Sequence, residues 1–306
     1  MREFNMVQKE CIVVVGPTAV GKTAEAIRIA KSLGTEIISA DSRQCYKEMR
    51  IGVARPSEEE LSTVPHHFIA NHSITENITA AGFEKEALGL LSEIFKQHDH
   101  AVVCGGTGLY IKALVDGLDE IPAIPDSVRN QAIAIYGEKG LSGLRDMLLD
   151  LDPGFALRGD TNNPHRMMRA LEVVLHTGLP IASFQQRQVS NNGGEMTDSN
   201  FNTRVRNFTI RYRFMQMPRE ELYARINSRV DNMIKEGLEE EASALLAHRN
   251  LPALQTVGYK EWFDFLDGNC SREQAIEKIK QHTRNYAKRQ ITWFSRLERQ
   301  SLENKQ

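Results

Sequence analysis

The chain has 306 residues, 41% hydrophobic and 25% charged, with 38 Lys+Arg against 40 Asp+Glu and a formal net charge of −2. That length holds one large α/β domain or a domain with an insertion, and that composition excludes wholesale disorder. The near-neutral charge excludes a global field that draws in nucleic acid, so any such binding rests on a local patch.

The opening "MREFNMVQKE" has neither an apolar signal core nor a basic amphipathic transit character, and no apolar run approaches a membrane span. "CIVVVG" (11–16) is a continuous β-branched run that suits a strand buried on both faces of a parallel sheet. "KTAEAIRIAKSLG" follows with helical spacing and Gly34 as a C-cap. "EIISAD" (36–41) reads as the next strand. "AAGFEKEALGLLSEIFKQH" reads as a helix with Phe83, Ala87, Leu90, Leu91 and Ile94 on one face. "HAVVCGG" (100–106) is a third strand ending in glycines. The alternation predicts an α/β fold with a doubly wound parallel sheet.

Past residue 118 the pattern changes. "LDEIPAIPDSVR" opens a stretch without a convincing strand, in which 127–148 and 164–177 look helical. "QQRQVSNNGGEMTDSN" (185–200) is polar and turn-rich and is expected to be a surface loop. "FTIRYRF" (208–214) resumes the sheet. The expected organisation is therefore a discontinuous core of 1–118 and 203–306 around a helical insertion of 119–202. Two long helices close the chain, over 220–248 and 272–299, the second rich in Lys and Arg. Its Tyr286 and Trp293 fall at a spacing more often met in a core than in a base-stacking platform.

Cys11, Cys45, Cys104 and Cys270 are too far apart for a C-x-x-C knuckle or redox pair, and a reducing cytoplasmic setting is the natural expectation. Nothing in the sequence demands an oligomer, so a monomer is expected.

The chemistry starts at "GPTAVGKT", where Gly16, Pro17, Thr18, Ala19, Val20, Gly21, Lys22 and Thr23 fit G-x-x-x-x-G-K-[ST]. The glycines let backbone N–H groups turn inward toward phosphate, and the following helix adds its positive end. Lys22 supplies a mobile charge, and Thr23 is placed to touch Mg²⁺. Asp41 is open between two roles. One is a Walker-B-like acid holding Mg²⁺ through water, which its position favours; the other is a general base. Ser42 and Gln44 suit a polar ligand or a plain turn. "GGTGLY" (105–110) sits where open α/β sheets bind ligands, and Thr107 suits a phosphate, a ribose or a strand-to-helix turn. In "NNPHRMMRALEV", Arg166 and Arg169 lie one turn apart, as a contact surface or a solvated basic face. Arg225 and Arg229 are placed to reach a diphosphate or to pair with Glu221 and Asp231. The absence of an N-K-x-D base reader argues against a GTPase.

Together these pieces resemble the tRNA dimethylallyltransferases, also called tRNA isopentenyltransferases. The resemblance runs nearly end to end. It rests on "GPTAVGKT", "ISADSRQCYKEMRIGVARP", "VPHHFI", "GGTGLYIKALVDGL", "NNPHRMMRALEV", "QTVGYKEW" and "TRNYAKRQITWF", in the family's order. One departure is "EMRIGVARP" where the family usually reads "GMDIGTAKP", so Arg50 and Val53 replace an acid and a threonine. The resemblance implies a P-loop NTPase-like core with a helical insertion, Mg²⁺, dimethylallyl diphosphate as donor, and N6 of adenosine at tRNA position 37 as acceptor. It implies Asp41 as the base, with Thr18, Lys22 and Arg225 at the reacting diphosphate. For the tRNA anticodon stem-loop it implies Asp41, Ser42, Arg43, Gln44, Thr107, Arg129, His165, Arg166, Met167, Met168 and Arg169. A free-nucleotide (adenylate) prenyltransferase, an ATP-dependent small-molecule kinase and a non-catalytic RNA-binding module are the competing readings.

Overall fold

The computed structural model describes residues 9–119, 121–184 and 208–303. The 185–200 stretch read as a surface loop lies outside them. The chain divides into two compact units, one of Met1–Gly117 with Asn202–Gln306, the other of Leu118–Phe201.

The first unit is built on five parallel strands: β1 (Glu10–Val15), β2 (Ile37–Ser39), β3 (His66–His67), β4 (His100–Gly105) and β5 (Thr209–Phe214), in the spatial order β3-β2-β4-β1-β5. β1 is an inner strand between β4 and β5, and its Cys11, Val13, Val14 and Val15 are wholly buried. Each such aliphatic side chain contributes about 1.5–3 kcal/mol by leaving water, which is why an unbroken apolar run sits here. β3 is two residues long, too short to show period-two alternation in sequence.

Helix α1 (Lys22–Leu33) follows β1 and ends at Gly34, whose φ of 59° is left-handed and suits the glycine cap. Short α2 (Glu58–Thr63) starts from a Ser57–Glu60 capping box. α3 (Ala80–Gln97) buries Phe83, Ala87, Leu91 and Ile94, and α4 (Gly108–Asp116) leaves β4 through Thr107. The register aligns Val15 with Gly105 and Ser39 with Cys104. The loops after β1, β2 and β4 therefore emerge side by side at the carboxyl edge of the sheet, where open α/β sheets hold ligands.

The expected single helix over 220–248 is broken. α8 (Arg219–Lys235) stops, Gly237 turns at φ 99°, and α9 (Leu238–Ala244) starts again. The apolar stripe continues through this break, so periodicity alone hid it; a left-handed glycine ended the helix. The turn delivers Glu241 to the 50–52 loop, where its carboxylate accepts the N–H groups of Arg50, Ile51 and Gly52 at 2.8–3.0 Å and the Tyr259 hydroxyl at 2.6 Å. The buried Tyr259 ring lies against Gly52, where a Cβ would approach within 2.6 Å. α10 (Lys260–Leu266) and α11 (Arg272–Glu303) complete this unit.

The second unit is helical among its described residues, with α5 (Asp126–Leu151), α6 (Pro153–Arg158) and α7 (Pro164–Thr177). α5 is interrupted at Gly140 (φ 62°, ψ −155°), so the helix read over 127–148 is two segments. Its core is formed by Ala132, Leu144, Leu148, Met167, Ala170 and Leu171. Buried Asp152 ties the unit together by accepting N–H bonds from Phe155 and Ile181, both at 3.0 Å.

Two glycines with opposite surroundings test this packing. At Gly105 a Cβ would overlap the backbone of Ala40, whereas at exposed Gly89 in α3 nothing stands within 4 Å. Gly105→Ala is expected to destabilise the protein by about 1–3 kcal/mol or more through overpacking against an element that cannot swing aside. Gly89→Ala should stabilise it by about 0.5–1 kcal/mol through helix propensity. Denaturant unfolding of the two variants reads both signs.

Candidate active site

Four chain segments converge at the carboxyl edge of the sheet: the β1–α1 loop, the 40–54 stretch after β2, the β4–α4 loop, and the face of α11 turned toward them. The β1–α1 loop turns through positive φ at Gly16 (153°), Ala19 (65°) and Gly21 (98°). Gly21 is the N-cap of α1, so the first-turn N–H groups of Lys22 and Thr23 are of the kind a helix leaves without internal partners. Ala19 and Val20 turn their side chains into a small apolar cluster with Leu222, Ile226 and Ala287, which backs the loop. Pro17 offers its carbonyl to the Lys22 ammonium at 2.8 Å, arching Lys22 over the loop.

Burial lowers the Lys22 pKa to about 8; the Asp41 charge works against that shift and Arg229 adds to it. Desolvating an ammonium without a paired anion has this effect, and an arriving diphosphate reverses it. Arg229 of α8 is also depressed, first by burial, and its guanidinium lies 3.4 Å from the Thr18 hydroxyl. Arg225 sits one turn earlier beside the loop: its Nη1 is 3.9 Å from where a Gly21 Cβ would be. It also pairs with Glu221 at 3.6 Å and is half exposed. Of the two alternatives for Arg229, pairing with Asp231 is not met: Asp231 pairs with Lys280 at 2.7 Å, which leaves Arg229 to the loop.

Asp41 lies just past β2. Its Oδ1 accepts the N–H groups of Arg43 (2.9 Å) and Gln44 (3.4 Å), closing the "DSRQ" turn, while Oδ2 has no hydrogen-bond partner among the described residues. Thr107 steadies the same turn, its hydroxyl accepting the Ser42 N–H at 3.0 Å and donating to the Ser42 hydroxyl at 3.3 Å. Asp41, Ser42 and Arg43 line a cavity of about 620 Å³ with Gly52, Val53, Arg229, Met233, Tyr286 and Arg289. Its walls mix cations with apolar groups, as a slot for a charged head and a hydrocarbon tail requires.

Several expectations need correcting. Gln44 is not among the residues that line this cavity: its carboxamide donates to the carbonyls of Val53 (3.3 Å) and Ala54 (3.0 Å) and accepts from Ser39, which holds the loop. Met167 is wholly buried in the core of the second unit and Met168 packs beside it, so the Met167 side chain cannot reach an RNA chain. Tyr286 is not a core residue but faces the cavity. There its hydroxyl is pushed up to about 12 by burial and the Asp41 charge. Trp293 is 39% exposed, its indole edge covering Gly108.

In the second unit, Asn163 caps α7 by accepting the His165 and Arg166 N–H groups, which leaves both side chains exposed at the helix start. Arg166 stands 3.5 Å from Asp160, and Arg169 is partly buried 3.3 Å from Glu172. Arg129, in the first turn of α5, is exposed and stands 3.6 Å from Asp126. Such open pairs contribute about 0–1 kcal/mol and exchange readily for phosphate.

No cluster of three His, Cys, Asp or Glu residues suited to a metal occurs among the described residues. The Thr23 hydroxyl, without a hydrogen-bond partner among them, would be available to hold a Mg²⁺ ion that arrives with a phosphate ligand. No described helix is long and apolar enough to cross a membrane.

Sequence and structure comparisons place the chain among known proteins. The profile of the IPP transferase family matches residues 44–297. A tRNA dimethylallyltransferase of Cytophaga hutchinsonii is 45% identical over 96% of this chain and 92% of its own. The tRNA dimethylallyltransferase 1 of Bacteroides fragilis is 42% identical over 96% and 93%. The fold is similar to that of the tRNA isopentenylpyrophosphate transferase of Bacillus halodurans, at 36% identity, TM-score 0.64 and coverage of 94% of this chain and 87% of that one. It is also similar to a eukaryotic dimethylallyltransferase acting on tRNA, at 25% identity, TM-score 0.75 and coverage of 93% and 69%.

The depressed Lys22 pKa has a measurable consequence. Above pH 8 the free lysine loses its proton, and a diphosphate beside it restores that proton, so binding takes up a proton and weakens as pH rises. Calorimetric titration with inorganic diphosphate near pH 9, in two buffers of different ionisation enthalpy, should show this extra uptake in the parent protein and not in Lys22→Met. Equal proton uptake by the two would contradict it.

Proposed function

The chain belongs to the IPP transferase family, and from that premise we propose that it transfers the dimethylallyl group of dimethylallyl diphosphate to N6 of the adenosine at tRNA position 37. It is a tRNA-modifying prenyltransferase, as its close relatives are. The observation that carries the finer reading is Arg229, which reaches Thr18 of the cation-lined phosphate loop and also lines the cavity of Asp41, a carboxylate with one oxygen unpartnered among the described residues.

An exocyclic adenine amine is a weak nucleophile because its lone pair is delocalised. An allylic diphosphate, by contrast, ionises early. The transition state thus gathers negative charge on the leaving diphosphate and positive charge on the allyl carbon. Donors already aimed at the leaving group are the main catalytic need. The first-turn N–H groups of α1, Lys22, Arg225 and Arg229 surround the site for that charge. Mg²⁺, held by Thr23 and the diphosphate oxygens, supplies further neutralisation of the leaving group when bound. Thr18 is fixed at its peptide and its hydroxyl, which suits a residue that bridges the diphosphate and the reacting centre.

Asp41 Oδ2 accepts the N6 proton as the C–N bond forms, while Oδ1 keeps the carboxylate in place. The adenine has to leave its stack to enter the cavity, where Ser42, Arg43 and Tyr286 are among the lining residues available to it. The exposed Lys288, Arg289, Arg296 and Arg299 of α11 suit the tRNA backbone, as do Arg129, His165 and Arg166 of the helical unit. A protein of this kind works as a monomer in the cytoplasm, on the tRNA pool.

Mixing the protein with Mg²⁺, dimethylallyl diphosphate and either tRNA, AMP or ATP discriminates the readings. A prenyl mass gain on tRNA alone is expected, and transfer to AMP or phosphorylation of a small acceptor would overturn the proposal. Asp41→Ala should lower transfer roughly 10²–10⁴-fold with tRNA affinity retained; near-parent turnover would remove Asp41 from the base role. Arg129→Ala should weaken tRNA binding several-fold and flatten the dependence of log K on log salt by about 1, with donor binding unchanged. Filter binding across a salt series reads that slope.

A further inference from the structure

Gln290 is 5% exposed, one of few buried polar residues among the described ones. It lies on the buried stripe of α11 between Ala287 and Phe294, where helical periodicity calls for an apolar residue. A carboxamide there needs its partners inside the protein, and it has them. Oε1 accepts the Thr18 N–H at 2.7 Å, and Nε2 donates to the Gly106 carbonyl at 2.9 Å. The partners fix the amide orientation, since an N–H calls for the oxygen and a carbonyl for the nitrogen.

We propose that Gln290 is a positioning residue for prenyl transfer: its carboxamide splints the β1–α1 loop to the β4–α4 loop and fixes the Thr18 peptide in register with the donor. This assignment rests on the function proposed above. It has three structural supports. First, Thr18 is held at two points, its N–H by Gln290 and its hydroxyl by Arg229, so this residue of the phosphate loop has little freedom. Second, the Thr18 N–H is spent on Gln290 and does not serve the diphosphate, which leaves the anion to the donors further along the loop. Third, Gly106 has no side chain because the Gln290 amide fills the place of its Cβ, and the Lys22 ammonium is 3.6 Å from that same point. The splint therefore passes close to the charge that receives the leaving group.

That proximity explains a neutral amide. A glutamate would still accept the Thr18 N–H, but it would turn a second oxygen on the Gly106 carbonyl and pair with Lys22, cancelling the positive charge meant for the diphosphate. A methionine keeps the shape and removes both bonds. Misplacing a reacting group by about 1 Å costs on the order of a hundredfold in rate, so a splint of this kind shows in kcat.

The test uses the full chain, Gln290→Met and Gln290→Glu, with steady-state transfer to tRNA at varied dimethylallyl diphosphate, tRNA affinity without donor, and thermal melting. Gln290→Met should lower kcat about ten- to a hundredfold with tRNA affinity within about twofold. Gln290→Glu should in addition raise the donor KM roughly tenfold over that of Gln290→Met, because only it competes for Lys22. A Met variant with the parent's kcat, or a donor KM shared by both variants, would overturn the assignment. Should Gln290→Met fail to fold, Gln290→Glu retains the Thr18 bond, and a parent-like donor KM in that variant alone refutes the charge argument. The parent protein separates the two claims. No transfer to tRNA by the parent overturns the proposed function, whereas an active parent with unaltered variants overturns only the role of Gln290.

Discussion

Gly105 and Ala40 touch backbone to backbone, with no room for even one methyl group between them. Ala40 donates its N–H to Cys104 at 2.8 Å and accepts the Thr107 N–H at 3.2 Å, so the ends of β2 and β4 are laced together before their loops diverge. The site follows from this contact. It brings Thr107 to the Ser42 peptide, closes the turn that orients Asp41, and sets Gly106 beside Lys22 and Gln290. A side chain at 105 would drive the acid-bearing loop away from the phosphate loop, whatever the quality of either loop alone.

Cations outnumber acids around that joint. Lys22, Arg225 and Arg229 gather at the start of α1, and Arg229 also lines the cavity of Asp41. Two of these cations, Lys22 and Arg229, have depressed pKa values because they are buried without a paired anion. An anion that arrives there gains their full, poorly screened attraction. This excess of cations matches a reaction that expels a diphosphate. A kinase would share it; the apolar wall formed by Val53, Met233, Val257 and Ile279 suits a hydrocarbon chain better than a second phosphate acceptor.

Much of this was legible in the sequence wherever one local pattern decides the structure. β1 and β4 are short apolar runs closed by glycine, and the phosphate loop is a fixed spacing of glycines, lysine and threonine between a strand and a helix. What was not legible depends on residues far apart in the chain. Gln290 looks like one more polar residue in a basic helix until α11 packs against residues 18 and 106. Gln44 looked like a ligand reader, yet its amide is consumed by the 53–54 carbonyls. Arg225 and Arg229 are equivalent by helical spacing, and only packing made Arg229 the more buried. The break at Gly237 lay hidden under a continuous apolar stripe. Met167 shows the same effect in reverse: it sits in a motif that resembles a contact surface, but on the face that the helix buries.

The most direct test is a structure of the protein with an unreactive thiolo analogue of dimethylallyl diphosphate and an anticodon stem-loop. The account requires the diphosphate over residues 18–23, the hydrocarbon tail in the cavity beside Val53, and the adenine N6 within hydrogen-bond distance of Asp41 Oδ2. An analogue bound elsewhere, or an adenine whose N6 is out of reach of Asp41 while the loop holds the diphosphate, would contradict it.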